Sequence, residues 1–87
     1  MIRLLLTESN ATVRQELRLG LAAAGLTVAA EAGTSAELLA ALAAVAPSVL
    51  LLDLALPGAD AFGLLATVRE QLPRLRVLAC GELTNEH

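Results

Sequence analysis

The sequence predicts an α/β fold in which helices cover a parallel sheet. Four short apolar segments alternate with three segments of helical periodicity, and only short turns separate them. Strands and helices that alternate in this way favour a parallel sheet with right-handed crossovers. The 87 residues suffice for one small domain, which we assign to residues 1–87.

The first two predicted elements are a strand at residues 2–6 and a helix that follows a polar turn. Ser9 or Asn10 can cap this helix, and Gly25 is a typical residue at a helix end. Residues 26–31 predict the second strand, and Gly33 marks the turn after it. The apolar stripe of the first helix has helical spacing and comprises Val13, Leu17, Leu21 and Ala24.

A capping box predicts the second helix, because Thr34 and Glu37 stand at the required spacing. The helix must end before Pro47, which cannot continue it. Its apolar stripe comprises Leu38, Leu39, Leu42 and Val45.

The central strand is an uninterrupted apolar run at residues 49–52, as expected for a strand that is covered on both faces. Asp53 follows at its C-terminal end, where open α/β sheets place their ligand crevice. The Leu-Pro-Gly turn at residues 56–58 then directs the chain away from the sheet. Asp53 is therefore the main candidate site residue. The alternative is a strand-terminal carboxylate that only accepts hydrogen bonds from the turn.

Asp60 can cap a third helix, and Pro73 ends it. Residues 74–81 predict a fourth strand, in which we expect Cys80 to be a buried packing residue. Residues 82–87 are polar. The stripe that we expect to face the core comprises Phe62, Leu65, Val68 and Leu72.

The composition argues against several classes of function. The net charge is -3, all six basic residues are Arg, and Phe62 is the single aromatic residue, so we expect no direct nucleic-acid binding by this segment. One Cys and one His cannot form a disulfide or a protein zinc site. Neither a signal peptide nor a membrane segment is predicted, so we expect a cytoplasmic protein. Arg69, Arg74 and Arg76 are expected on a solvated face, with binding of an acidic partner as the alternative.

The order of motifs resembles the receiver domain of bacterial two-component response regulators, and most of all receivers attached to LuxR-type DNA-binding domains. The resemblance rests on Glu8 after the first strand, the D-L-A-L-P-G turn at 53–58, and the runs I-R-L-L-L, V-R-Q-E-L, P-S-V-L-L-L-D-L and L-P-R-L-R-V-L. It implies a doubly wound, flavodoxin-like (CheY-like) sheet that is truncated after the fourth strand, with strand order 2-1-3-4. It covers nearly the whole chain.

The resemblance also implies a site. Asp53 falls on the phosphoacceptor that takes a phosphoryl group from a sensor histidine kinase. Glu8 falls on the first of two acidic Mg²⁺ ligands, and the carbonyl of Ala55 falls on the backbone ligand. Hard oxygen donors suit Mg²⁺, which neutralises charge on the phosphoryl oxygens. Such a domain is a signalling module rather than an enzyme.

This sequence departs from the family pattern at three points. Ser9 occupies the second acidic position, and Gly81 occupies the position of the switch Ser or Thr. The phosphate-anchoring Lys has no counterpart, since the sequence contains no Lys. We therefore expect weak Mg²⁺ binding and impaired phosphorylation.

Several functions remain as hypotheses. We favour an atypical receiver that acts through protein contacts; a conventional receiver that is phosphorylated on Asp53 with Mg²⁺ is the alternative. An aspartate-nucleophile phosphatase would need a second Asp where Ala55 stands, and a dinucleotide-binding domain would need glycines after the first strand. Because the family fold continues beyond the fourth strand, we expect an exposed strand edge that recruits a homodimer or domain-swapped partner.

Overall fold

The computed structural model describes residues 2–58 and 60–80, which form strands and helices in strict alternation. Each element that the sequence predicts is present, whereas Gly81 and residues 82–87 lie outside the described residues. Within the described chain, no helix is long and apolar enough to span a membrane. The elements are β1 (Arg3–Thr7), α1 (Ala11–Ala23), β2 (Thr27–Ala32), α2 (Ser35–Ala44), β3 (Val49–Asp53), α3 (Ala61–Gln71) and β4 (Arg76–Cys80).

The sheet is parallel throughout and has the order β2-β1-β3-β4. This confirms the predicted doubly wound architecture and strand order. Leu6 of β1 aligns with Leu51 of β3, which in turn aligns with Leu78 of β4. The chain moves outward from β1 to β2, then returns to β3 on the other side of β1. With right-handed crossovers, this reversal places α1 on one face of the sheet and α2 and α3 on the other.

The main core lies between the sheet and the pair α2 and α3. Side chains alternate between the faces of a strand, so Leu50 and Leu52 project to one face together. Both are fully buried, and each such side chain stabilises the fold by about 1.5 to 3 kcal/mol. The buried members of this core are Leu5, Ala32, Leu38, Leu42, Leu50, Leu52, Leu56, Leu64, Val68 and Leu75.

The prediction that Phe62 belongs to the core is wrong, because its side chain is 85% exposed. Asp60 is the N-cap of α3, and Leu64 and Val68 are its buried residues. At about 100° per residue, Phe62 lies on the side of the helix opposite Leu64. Leu65 and Leu72 of the predicted stripe are partly buried against the core, as expected.

The opposite face of the sheet is less completely covered. No residue of α1 is buried, and Val13 and Leu17 of its predicted stripe are exposed. On the same face, Leu78 of β4 is 59% exposed. β4 pairs with β3 alone among the described strands, so it forms the edge of the sheet. The side chain of Cys80 lies outside the part of the chain that the structure describes.

Candidate functional site

Asp53 ends β3 at the C-terminal edge of the sheet, where its residue is only 7% exposed. Its Oδ1 accepts a hydrogen bond of 2.8 Å from the N–H of Ala55 in the following turn. Its Oδ2 faces the β1–α1 loop and accepts a longer hydrogen bond of 3.4 Å from the N–H of Ser9. The hydrogen bond from the turn is therefore present, as the alternative interpretation of Asp53 requires. The second oxygen, however, contacts the β1–α1 loop, and we call the region between this loop and the turn after β3 the crevice.

Thr7 is a residue of this site that the sequence analysis missed. It is 1% exposed, and its hydroxyl connects β1 to β3. The Oγ1 accepts a hydrogen bond of 2.6 Å from the N–H of Asp53 and donates one of 2.6 Å to the carbonyl of Leu51. The backbone pairing of β1 with β3 ends at Leu6 and Leu51. The side chain of Thr7 extends the contact between the two strands by one residue. It fixes the backbone that carries the Asp53 carboxylate.

The turn after Asp53 packs on the start of α2. The N–H of Leu56 donates to the carbonyl of Asp53 at 3.2 Å, and the N–H of Ser35 donates to the carbonyl of Pro57 at 3.0 Å. Gly58 has a φ of 105°, which side chains rarely adopt, and a Cβ there would lie 2.5 Å from the Ser35 hydroxyl. The close approach therefore requires glycine.

Glu8 lies in the β1–α1 loop, next to Ser9. Its Oε2 accepts a hydrogen bond of 2.9 Å from the N–H of Asn10, and its carbonyl accepts one of 2.7 Å from the Arg14 guanidinium. Arg14 and Arg18 also form ion pairs with Glu31 of β2, both at 3.4 Å. The loop is thus tied to α1, and α1 to β2. The ion pairs were not visible in the sequence, because they join residues that only the fold brings together.

Asn10, one of the two predicted candidates, is the N-cap of α1. Its side chain accepts from the N–H groups of Thr12 and Val13 at 2.9 and 3.1 Å. Ser9 is exposed, and its backbone rather than its hydroxyl contacts Asp53. The structure therefore places the backbone of Ser9 against the Asp53 carboxylate, with Glu8 next to Ser9 in the same loop. A shared role of Glu8 and Asp53 in one site stays a prediction.

The β1–α1 loop, the end of β3 and the turn after it carry the three oxygen donors that the resemblance implies for a hard cation: the carboxylates of Glu8 and Asp53, and the carbonyl of Ala55. Within residues 2–58 and 60–80, no group of three His, Cys, Asp or Glu residues is placed to hold a metal ion. Ser9 is neutral, so residues 8 and 9 contribute one carboxylate to this part of the loop. The candidate site therefore has two carboxylates, one fewer than a site in which a second acidic residue followed Glu8.

Comparisons with known proteins give one sequence relative and many solved structures. No family model matches the chain. Over 72 residues, which are 82% of this chain, the sequence is 40% identical to the DNA-binding transcriptional regulator NtrC of Salmonella typhimurium. The chain spans only 15% of the length of that relative.

Among solved structures, RcsB from Salmonella enterica serovar Typhimurium, bound to the promoter rprA with the phosphomimetic BeF3-, superposes with a TM-score of 0.90 at 21% identity. That match covers 98% of this chain and 72% of the RcsB chain. The signal receiver domain of NarL from Mycobacterium tuberculosis superposes with a TM-score of 0.85 at 28% identity, over 98% of this chain and 69% of the NarL chain.

Proposed function

We propose, on the premise that this chain fits a truncated response-regulator receiver domain, that it acts in two-component signal transduction and transcription regulation mainly through protein contacts. The receiver identification made from the sequence is confirmed by the NtrC relative and the NarL receiver domain, and the RcsB structure supports the fold. The observation that supports the finer proposal is the composition of the crevice. Asp53 accepts a hydrogen bond from the backbone of Ser9, and this neutral residue stands where the family pattern has its second carboxylate.

Asp53 is the residue that would accept a phosphoryl group. One carboxylate oxygen would form a bond to phosphorus while the bond between phosphorus and the donor, such as a kinase imidazole nitrogen, breaks. The N–H groups of Ser9 and Ala55 already bond this carboxylate, so its orientation is fixed. Both reactants are anionic, however, and the reaction therefore needs positive charge at the crevice.

Glu8, Asp53 and the carbonyl of Ala55 would hold Mg²⁺, which supplies that positive charge when bound. Mg²⁺ is commonly held by one or two carboxylates plus water and phosphate, so these donors fit it. Two features weaken the site. Ser9 is neutral, and the Glu8 carboxylate accepts a hydrogen bond from the N–H of Asn10, which cation binding would have to disturb. Phosphorylation is therefore impaired.

The edge strand β4 is the proposed contact surface for a second copy or a domain-swapped partner. Its outer side has no pairing partner among the described strands. Leu78 adds an apolar side chain that is 59% exposed. Unpaired strand edges and exposed apolar patches both favour association. A sensor histidine kinase is a further proposed partner, and with a net charge of -3 we propose no direct nucleic-acid contact by this segment.

The impaired site is tested by intact-mass analysis after incubation with acetyl phosphate and Mg²⁺. We expect a small fraction of phosphorylated wild type, none in Asp53→Asn, and a clearly larger fraction in Ser9→Asp, which restores the missing carboxylate. A wild type that is phosphorylated as completely as Ser9→Asp would instead establish the conventional receiver. That alternative is retained because the sequence keeps both Glu8 and Asp53.

The association is tested by size-exclusion chromatography with light scattering over a range of concentrations. We expect a dimer whose dissociation constant rises in Leu78→Lys, since an edge lysine opposes strand pairing. Leu19→Lys is the control, because Leu19 is also exposed but lies on α1. A monomer at all concentrations would exclude the proposed interface.

A further inference from the structure

A cavity of about 590 Å³ lies at the N-terminal edge of the sheet, at the opposite end of β3 from Asp53. Ligand pockets commonly measure about 300 to 1,000 Å³, so this volume is sufficient for a small molecule. The end of α2, the α2–β3 loop and the α3–β4 loop form its walls. Its apolar lining includes Leu42, Val45, Pro47, Leu72, Pro73 and Leu75.

Hydrogen bonds hold both walls of the cavity in place. In the α2–β3 loop, the N–H of Ser48 donates to the carbonyl of Arg3 at 2.8 Å, and the Ser48 hydroxyl accepts from the N–H of Arg3 at 3.3 Å. In the α3–β4 loop, the carbonyl of Leu75 accepts from the Arg69 guanidinium at 2.9 Å. The N–H of Leu75 donates to the carbonyl of Leu72 at 3.1 Å. Hydrogen bonds within the domain therefore hold both loops that line the cavity.

The floor of the cavity is continuous with the hydrophobic core, because Leu42 and Leu75 belong to both. A ligand there would bury apolar surface against side chains that are already packed. Burial of apolar surface contributes about 25 cal/mol for each Å² removed from water. The walls thus select a ligand with an apolar body.

The polar groups of the lining determine which charge on a ligand the cavity favours. Arg74 is the charged residue in the lining, and no acidic residue accompanies it there. The guanidinium of Arg74 has no ion pair with any described residue. Arg3 and Arg76 begin β1 and β4 at the same edge of the sheet. Glu70 on the last turn of α3 lies outside the lining, so Arg74 alone gives the lining its formal charge.

We propose that this cavity binds a small amphipathic anion, namely a carboxylate with an aromatic or aliphatic body. The apolar body occupies the space between the two loops, and the carboxylate pairs with the guanidinium of Arg74. Arginine is suited to this role because its planar group can donate two parallel hydrogen bonds to a carboxylate. The site does not depend on phosphorylation of Asp53, so it would give the domain a chemical input separate from a kinase.

Titration of the ¹⁵N-labelled chain with 2-naphthoate, followed by amide chemical shifts, tests the proposal. We expect saturable shifts at residues 42–48 and 72–75. The neutral analogue 2-naphthamide should bind the same residues more weakly. In Arg74→Gln, affinity for the naphthoate should fall about fivefold, the factor that corresponds to an exposed ion pair of about 1 kcal/mol. Affinity for the naphthamide should not change.

Two variants and one further probe complete the test. Ala44→Phe fills the cavity from an exposed position, so it should abolish binding of both probes while the remaining amide shifts show an intact fold. Shifts that are absent at millimolar naphthoate, or that spread over other surfaces, would overturn the proposal. So would an equal effect of Arg74→Gln on both probes. An acidic amphipathic peptide that shifts these residues when naphthoate does not would show a protein-docking site instead.

Discussion

Replacing Thr7 by Val should destabilise the domain more than the small change in shape suggests. The substitution removes a hydroxyl with two bonds of 2.6 Å and leaves the N–H of Asp53 and the carbonyl of Leu51 without this partner. A buried polar group that loses its partner costs about 1 to 3 kcal/mol, so two groups cost about 2 to 6 kcal/mol. The bond to Leu51 is only partly buried, so water can replace some of it. We therefore expect a loss of about 2 to 4 kcal/mol in the free energy of unfolding.

This loss is large for a domain of 87 residues, whose total stability is about 4 to 13 kcal/mol. Urea denaturation followed by far-ultraviolet circular dichroism measures it, since the chain has no Trp or Tyr for fluorescence. Thr7→Ser is the matched control, because it keeps the hydroxyl and loses one methyl group at a cost of about 1 kcal/mol. The reasoning would be refuted if Thr7→Val lay within about 0.5 kcal/mol of wild type, or if Thr7→Ser lost as much.

Two further predictions concern the backbone and the core. Gly58→Ala should destabilise by about 1 to 3 kcal/mol because of its positive φ and the nearby Ser35 hydroxyl. Gly20→Ala in α1, where a Cβ meets no atom within 4 Å, should stabilise the domain by about 0.5 to 1 kcal/mol. If thermal unfolding showed that both glycine variants change the stability in the same direction, this explanation would be contradicted. Leu50→Ala should cost about 2 to 5 kcal/mol because Leu50 is fully buried. Leu78→Ala, at 59% exposure, should cost clearly less in urea denaturation of dilute protein, and equal losses would argue against the described core.

The alternation of apolar and helical patterns was sufficient to predict each strand and helix in the described part of the chain. The carboxylate at the end of the central strand also predicted the crevice, because strand order brings the ends of β1 and β3 together. Thr7 was missed for a physical reason. Its hydroxyl matters only once the register of β1 on β3 is known, and a single Thr at a strand end carries no such information.

The error at Phe62 has a similar origin. Helical spacing alone fits more than one stripe along α3, and the phase that packs on the sheet is the one centred on Leu64 and Val68. Sequence periodicity indicates that an amphipathic helix exists more reliably than it indicates which side of its first turn is buried. The pairing of Arg14 with Glu31 was likewise invisible, since it joins helix α1 to strand β2.

The bond between the N–H of Ser35 and the carbonyl of Pro57 makes α2 a direct connection between two parts of the domain. It joins the turn beside Asp53 to the first residue of α2, and Gly58 allows the two to lie in direct contact. The ten residues of α2 form a rod about 15 Å long, whose far end borders the cavity at Ala43 and Ala44. Because α2 contacts the turn beside Asp53 at one end and lines the cavity at the other, any change in the position of α2 would alter both places.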